Sequence, residues 1–364
     1  MKKIYFDGRP IRSPITGVAN SIFLMLEALK YQSEYKPLIF LQSDRKKNKH
    51  IFDKRIINPI ISHDIKFFNN ILYEAGFNSN LFEIKNSIIH ETYFARFPAK
   101  TKSNFLVSTI HDVIPLDKPS WYSFSNYFFS KKNFFRQMKS SDLVIFPSKF
   151  TAQRAQEIFK SKVNNVVIPW PISDEFFLFN NSYVPDQNNP FFLVLGNIEP
   201  RKNILFAARL VSLFNKKNKT NIKLVVAGKD GFNSNAIKTD CLKIYDNIIF
   251  TGYISNDKKI DLLRKTACLL FPSKYEGFGI PLIEALVIGT PFLTNLNTSL
   301  TELSPKRIFG FRDNSLDDAL HNLEKIVFIS LKTHLGHSKY NKLCLNYSLD
   351  KFKIRLLNAY KNLY

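Results

Sequence analysis

The sequence predicts an α/β protein of two Rossmann-like, doubly wound domains joined by a polar linker. Three observations carry this expectation. Short apolar runs alternate with helices of three-and-four apolar spacing, first to about residue 170 and again from residue 191. Between the two alternations, SDEFFLFNNSYVPDQNNP (residues 173–190) is rich in Asn, Asp and Pro. A chain of 364 residues is also too long for one ordinary core and about right for two. The expected division is 1–172 for the first domain, 173–190 for the linker, 191–345 for the second domain and 346–364 for a closing helix.

In chain order, KKIYFD reads as the first strand, GRPIRSPITGVANS as a loop containing Gly17, and SIFLMLEALK as a helix. PLIFL, SIIHE, FLVSTI, DLVIFPS and NVVIPWPI read as further strands. Within WYSFSNYFFSKKNFFRQMKS, Phe124, Phe128, Phe135 and Met138 recur at helical spacing, which predicts a helix packed on the sheet, with a membrane-binding helix as the alternative. FPSKFTAQRAQEIFK opens another helix, with Ser148 or Thr151 as its cap. In the second half FFLVLGN, KLVVAG, NIIFTG, ACLLFP, PFLTN and RIFGF read as strands. Helices are expected over 203–216, 234–244 and 256–266, from Pro281, and in SLDDALHNLEKIVFI and SLDKFKIRLLNAYKNL.

Composition excludes several classes. No run approaches the ~18–20 apolar residues of a membrane span, and MKKIYFDGRP lacks the apolar core of a signal peptide. Cys241, Cys268 and Cys344 are odd in number and far apart, which suits reduced thiols in a cytoplasmic protein. The net charge of +22 is shared evenly by the two halves and suits nucleic acid or an anionic membrane surface. Neither zinc-finger spacing nor an RNP-like aromatic sequence accompanies it, so no nucleic acid partner is expected. The densest cluster, RKKNKHIFDKR at residues 45–55, sets six basic residues around Ile51 and Phe52. It is the candidate face for peripheral contact with an anionic inner membrane.

The chemistry centres on FPSKYEGFGIPLIEALVIG, residues 271–289. A buried strand leads into a loop with two glycines, and Pro281 stands in the first turn of the helix that follows. Loop N–H groups and a positive helix end then converge on one point, as at phosphate sites. Glu276 in the loop and Glu284 in the helix have the wrong sign for phosphate but suit sugar hydroxyls. Amides for phosphate beside carboxylates for hydroxyls describe a site for a nucleotide sugar. YEGFGIPLIEA resembles the Glu-x7-Glu signature of retaining glycosyltransferases with the GT-B fold, glycosyltransferase family 4.

The resemblance implies two Rossmann-like domains facing across a cleft, with the last helix crossing back to the first domain. It also implies roles for particular residues. Gly17 would lie under the donor phosphate or near the acceptor. His111 in STIHDVIPLD would stand beside the transferred sugar, near its primary hydroxyl. Arg201 and Lys202 in LVLGNIEPRKN would clamp the diphosphate, and two cations at a helix start disfavour the helix dipole, which itself points to an anion. Glu276 would hold hydroxyls of the donor sugar and Glu284 those of the ribose. Backbone groups from Gly277 through Phe278, Gly279 and Ile280 would face the phosphates. The family often has arginine after the first glycine of this turn, where this chain has Asn197.

The sequence has no Asp-x-Asp, and His334 and His337 lack a third ligand, so neither a metal nor another cofactor is expected. AGKDG at 227–231 is not a P-loop, because no Ser or Thr follows its Lys. The resulting expectation is a hexosyltransferase moving mannose from GDP-mannose to a bacterial polysaccharide, O-antigen or lipid-linked acceptor. The alternatives are a UDP-sugar donor or an inactive glycan-binding or nucleotide-binding module of the same fold.

Overall fold

The computed structural model describes residues 2–8, 10–11, 17–42, 60–63, 85–94, 103–180, 182–303, 310–312, 314–332 and 341–364. The chain forms two compact units, Met1–Pro171 with Leu349–Tyr364, and Ile172–Ser348.

The first unit is built on β1 (Lys2–Asp7), β2 (Tyr35–Gln42), β3 (Ile60–His63), β4 (Ser87–Glu91), β5 (Phe105–Thr109), β6 (Leu143–Phe146) and β7 (Asn165–Val167). These form one sheet in the order β3-β2-β1-β4-β5-β6-β7, with every pairing parallel. Strands covered on both faces need apolar side chains at successive positions. SIIHE is such a strand, and all of β4 is buried. The helices α1 (Gly17–Leu29), α2 (Phe124–Ser140) and α3 (Lys149–Phe159) follow β1, β5 and β6. Ser148 caps α3, accepting from the Thr151 amide at 3.1 Å.

Helix α2 differs from expectation. It is anchored through Phe134, Gln137 and Met138, while Phe124, Phe128 and Phe135 are exposed. Ring spacing along the sequence reports a helix but not which of its faces is covered. Strand β3 was not anticipated, and the basic cluster at 45–55 lies outside the described residues.

The second unit repeats the plan with β8 (Phe191–Leu195), β9 (Lys223–Ala227), β10 (Ile248–Gly252), β11 (Cys268–Phe271), β12 (Phe292–Asn295) and β13 (Gly310–Phe311). Its order is β10-β9-β8-β11-β12-β13. Its helices include α4 (Asp174–Leu178), α5 (Ile204–Asn218), α6 (Ser234–Ile244), α7 (Asn256–Lys265), α8 (Ile280–Ile288) and α9 (Leu316–Lys332). Phe206 of α5 stacks on Phe311 of β13, with ring centres 4.8 Å apart. The segment expected as a linker is structured with this unit. Amides of Tyr183, Val184 and Asp186 donate to carbonyls of Ile288, Arg264 and Lys265. Its Asn and Pro content reflects turns bonded to neighbouring helices, not a loose tether.

In both sheets the strand order reverses beside the first strand. Successive connections leave β1 and β4, or β8 and β11, in opposite directions, and a crevice opens at the carboxyl ends of those strands.

The last helix, α10 (Leu349–Lys361), belongs to the first unit and packs on α1. Tyr360 is fully buried, with its hydroxyl 2.7 Å from His90 Nδ1. His90 Nε2 is 2.7 Å from Thr109 Oγ1, so a polar chain crosses from α10 through β4 to β5. Burial, and secondarily the neighbouring His111, push the His90 pKa down to about 3. The folded state therefore holds His90 neutral, whereas the unfolded chain takes up a proton below the ordinary value of 6.5. Its contribution is complete above that value and is lost as pH falls toward 3, at about 1.4 kcal/mol per pH unit. Both tryptophans, Trp121 and Trp170, lie in this unit. The urea midpoint followed by tryptophan fluorescence should fall between pH 7 and pH 5. An unchanged midpoint would mean that burial does not lower the His90 pKa, the folded and unfolded states taking up the proton alike.

Candidate active site

In the second unit the loops after β8 and β11 meet at the switch point. Gly196 follows β8 at a φ of +138°, and a β-carbon there would lie 2.8 Å from Lys202 Cε. A β-carbon on Gly228 would lie 1.9 Å from the Gly196 carbonyl oxygen. The two glycines let the chains after β8 and β9 close up, with the Lys202 stem laid across Gly196. Pro200–Lys202 forms a single 3-10 turn, and Asn203, at a φ of 54°, turns the chain into α5. This brings Lys202, only 7% exposed, under the loop after β11.

That loop is tied down at several points. The Lys274 amide donates to the Arg201 carbonyl at 2.8 Å. Ser299 Oγ donates to the carbonyls of Glu276, at 2.8 Å, and Phe278, at 3.1 Å. Asn297 Nδ2 donates to Ser273 and Lys274. Gly279 has a φ of +107°, and a β-carbon there would lie 2.8 Å from Leu300 Cδ2, so this sharp entry into α8 requires glycine. Helix α8 begins at Ile280. Its first N–H groups have no acceptor within the helix, and the positive end of its dipole lies here.

Glu276 bridges the two cations. Its Oε1 lies 2.6 Å from Lys202 Nζ and its Oε2 2.8 Å from Arg201 Nη1. Arg201 Nε is 2.7 Å from Glu199. Burial alone would raise the Glu276 pKa, but Lys202 and Arg201 outweigh it and hold the carboxyl at about 2. Burial pushes the Lys202 ammonium down, Arg201 adds to that, and Glu276 opposes it.

Glu284, four residues into α8, is 4% exposed. Its Oε1 lies 2.5 Å from Lys259 Nζ on α7, and its Oε2 is buried with no hydrogen-bond partner. Sequence reasoning missed Lys259. A signal was present, because Lys258 and Lys259 stand in the opening turn of α7, the arrangement that singled out Arg201 and Lys202. The two glutamates therefore sit on different cations.

The first unit holds the remaining expected residues. His111 follows β5, and its Nε2 lies 2.8 Å from the Thr92 carbonyl. A carbonyl only accepts, so Nε2 carries the hydrogen and Nδ1 is the acceptor. The ring stacks on Trp170 with centres 5.2 Å apart and planes 17° apart. Burial pushes its pKa down to about 4, although the bond to Thr92 works the other way. Gly17 is the first residue of α1, exposed, and a β-carbon there would meet nothing within 4 Å. Packing gives no reason for glycine at this position. Glu91 at the end of β4 accepts from Arg136 and Gln137, at 2.8 and 3.1 Å. His334 and His337 lie outside the described residues. Among the described residues no three His, Cys, Asp or Glu side chains cluster as metal ligands.

Buried Lys202 and part-exposed Arg201, sharing one carboxylate, can exchange it for another anion. Removing the carboxylate alone leaves Lys202 buried and unpaired, a change that costs on the order of 3–5 kcal/mol. Glu276→Gln should therefore lower the melting temperature of the ligand-free protein. Inorganic pyrophosphate should raise the melting temperature of this variant by more than that of the wild type. An equal or smaller shift in the variant would show that anions do not take the place of Glu276.

Comparison with known proteins agrees with this architecture. Residues 177–304 match the family described as Glycosyl transferases group 1. The chain is 22% identical over 403 residues to the O-antigen chain mannosyltransferase B of Escherichia coli, covering 99% of each chain. It is 26% identical over 266 residues to the serotype-specific mannosyltransferase WbdA of Escherichia coli, covering 67% of this chain and 32% of the relative. It thus spans about a third of that longer protein's length. Among solved structures, a TarM variant from S. aureus in complex with Fondaparinux, alpha-GlcNAc-glycerol and UDP superposes with a TM-score of 0.72. That structure shares 13% identity, and the match covers 99% of both chains. The match to the group 1 glycosyl transferases falls within the second unit, and with its two parallel sheets in Rossmann order the chain is a glycosyltransferase of the two-domain GT-B fold, similar to glycosyltransferase family 4.

Proposed function

We propose that this glycosyltransferase moves mannose from GDP-mannose to a growing cell-surface glycan or lipid-linked oligosaccharide, with retention of anomeric configuration and without a metal. One observation carries the nucleotide-sugar reading above the others. A buried Glu284 oxygen without a donor lies on the short helix that follows directly from the Glu276 loop, whose carboxylate pairs with Arg201 and Lys202. Hydroxyl-seeking and anion-seeking groups are thereby set one helix turn apart. The names of the mannosyltransferase relatives support mannose and a polysaccharide acceptor.

In this reading Arg201, Lys202 and the N–H groups from Gly277 to Ile280 hold the diphosphate and stabilise the charge that develops as it leaves. Glu276 then passes from its ion pairs to the hydroxyls of the donor sugar. His111, neutral and with Nδ1 as acceptor, takes a hydroxyl of the transferred sugar. The sugar–diphosphate bond breaks as the acceptor oxygen bonds from the same face, and the acceptor hydroxyl's proton passes to the departing diphosphate oxygen. No cofactor enters, since the nucleotide sugar is a co-substrate. The TarM complex with UDP favours the second reading, a UDP-sugar donor.

Thermal shift with GDP, UDP and ADP tests the donor. At ~100 Kd the preferred nucleotide should add about 2.7 kcal/mol of stability. Shifts that rank UDP first would replace GDP-mannose, and binding without turnover for every acceptor tried would mark an inactive module. Proton NMR of the product should show the donor's anomeric configuration, and an inverted centre would defeat the retaining mechanism.

The acceptor side involves a surface. Phe124, Phe128 and Phe135 of α2 are 82%, 55% and 37% exposed. At 100° per residue they fall within about 40° of one another. Lys131, Lys132 and Lys139 are exposed on the same helix, which contains no acidic residue. We propose α2 as a peripheral contact with an anionic bilayer, its rings at the headgroup boundary and its lysines on the lipid charge. No described helix is long and apolar enough to cross a membrane. Cosedimentation should occur with anionic but not neutral vesicles, fade in high salt, and be lost in Phe124→Ser/Phe128→Ser. Undiminished cosedimentation of that double variant would place the contact elsewhere.

A further inference from the structure

We infer that Lys259 is a positioning residue that makes Glu284 a reader of a vicinal diol, the 2′- and 3′-hydroxyls of the nucleotide ribose. The inference rests on the nucleotide-sugar reading of this site and adds a residue and a discrimination to it.

Lys259 is in the opening turn of α7, which follows edge strand β10. Ser255 caps that helix, accepting from the Lys258 amide at 3.3 Å, so the opening turn is fixed. The Lys259 ammonium is held from two sides. It is 2.5 Å from Glu284 Oε1 and 4.9 Å from the ring centre of Phe176. Phe176 is 1% exposed and lies on α4. Side chains of α4 and α8 thus meet the one ammonium that α7 supplies.

The pair is asymmetric. A carboxylate has two acceptor oxygens. Lys259 occupies Oε1, while Oε2 is buried with no donor. An ion pair serving stability alone gives no reason to leave the second oxygen orphaned in the interior, where an unmet acceptor is costly. A ligand hydroxyl removes that cost. Lys259 therefore does two things. It fixes which oxygen is presented, and it balances the carboxylate charge so that Glu284 does not repel an anionic ligand. Without Lys259, Glu284 would lose the contact that orients it.

The test titrates GDP and 2′,3′-dideoxy-GDP, with the uridine pair run alongside, into wild type, Lys259→Met and Lys259→Arg by calorimetry. Wild type should bind the ribonucleotide about tenfold or more tightly than the dideoxy analogue. Lys259→Met should lose a similar factor for the ribonucleotide and little for the dideoxy compound. Lys259→Arg should retain most of the preference. Equal losses for both ligands in Lys259→Met would overturn the positioning role and leave the ribose reading standing. A wild type indifferent to the missing hydroxyls, or binding neither nucleotide, would overturn the ribose reading together with this inference. If Lys259→Met does not fold, Lys259→Ala, which also removes the donor toward Oε1, runs the same comparison.

Discussion

The second unit's site depends on one interaction, the pairing of Lys202 and Arg201 with Glu276. A lysine 7% exposed would be expensive without a counter-ion. The carboxylate that stabilises it comes from the neighbouring strand's loop, so the loops after β8 and β11 are locked by a charge as well as by backbone bonds. The local geometry serves this contact. Gly196 gives room to the Lys202 stem, Gly228 lets the next loop close in, and Ser299 holds both flanking carbonyls of the Glu276 loop. Each of these would be an ordinary turn feature if the buried ion pair did not need to be built.

The same constraint explains the site's position. Only beside the first strand do the connections diverge, so only there can two loops approach one point from neighbouring strands. In the second unit that point collects Arg201, Lys202 and the start of α8. In the first unit the corresponding strand ends carry His90, Glu91 and, past β5, His111. There the polar groups are largely used within the fold. His90 ties α10 to the sheet, and Glu91 is taken by Arg136 and Gln137. His111 is the exception, with one nitrogen committed to Thr92 and the other left as an acceptor.

The fold was legible because parallel strands buried on both faces leave continuous apolar runs, and β4, β8 and β11 are buried along their whole length. The loop glycines and Pro281 located α8 for a similar reason, since each answers a steric demand of the local backbone. Pairing between distant side chains was not legible. Lys259 and Glu284 are 25 positions apart, and no local rule links them. Which face of α2 is covered was equally hidden, because it depends on neighbours and not on the helix's own period. The segment 173–190 was misjudged through composition. Asn and Pro mark turns, and only contacts reveal whether those turns are docked.

The distribution of charge shows how this site can favour an anion while offering no net local charge to it. Arg201 and Lys202 are matched by Glu199 and Glu276, so the immediate set is neutral in the ligand-free state. A bare cationic pocket would attract every small anion and would strain the folded state by self-repulsion. Here the attraction at distance comes from the chain's surplus of +22, which acts over about 10 Å at ordinary ionic strength. Selectivity is then decided at contact, where an incoming anion must displace Glu276 from two cations at once. A single-charge anion makes that exchange poorly, whereas a diphosphate can meet both cations and the helix N-terminus together. The released carboxylate is then an acceptor beside the anion, available to hydroxyl groups carried by the same ligand.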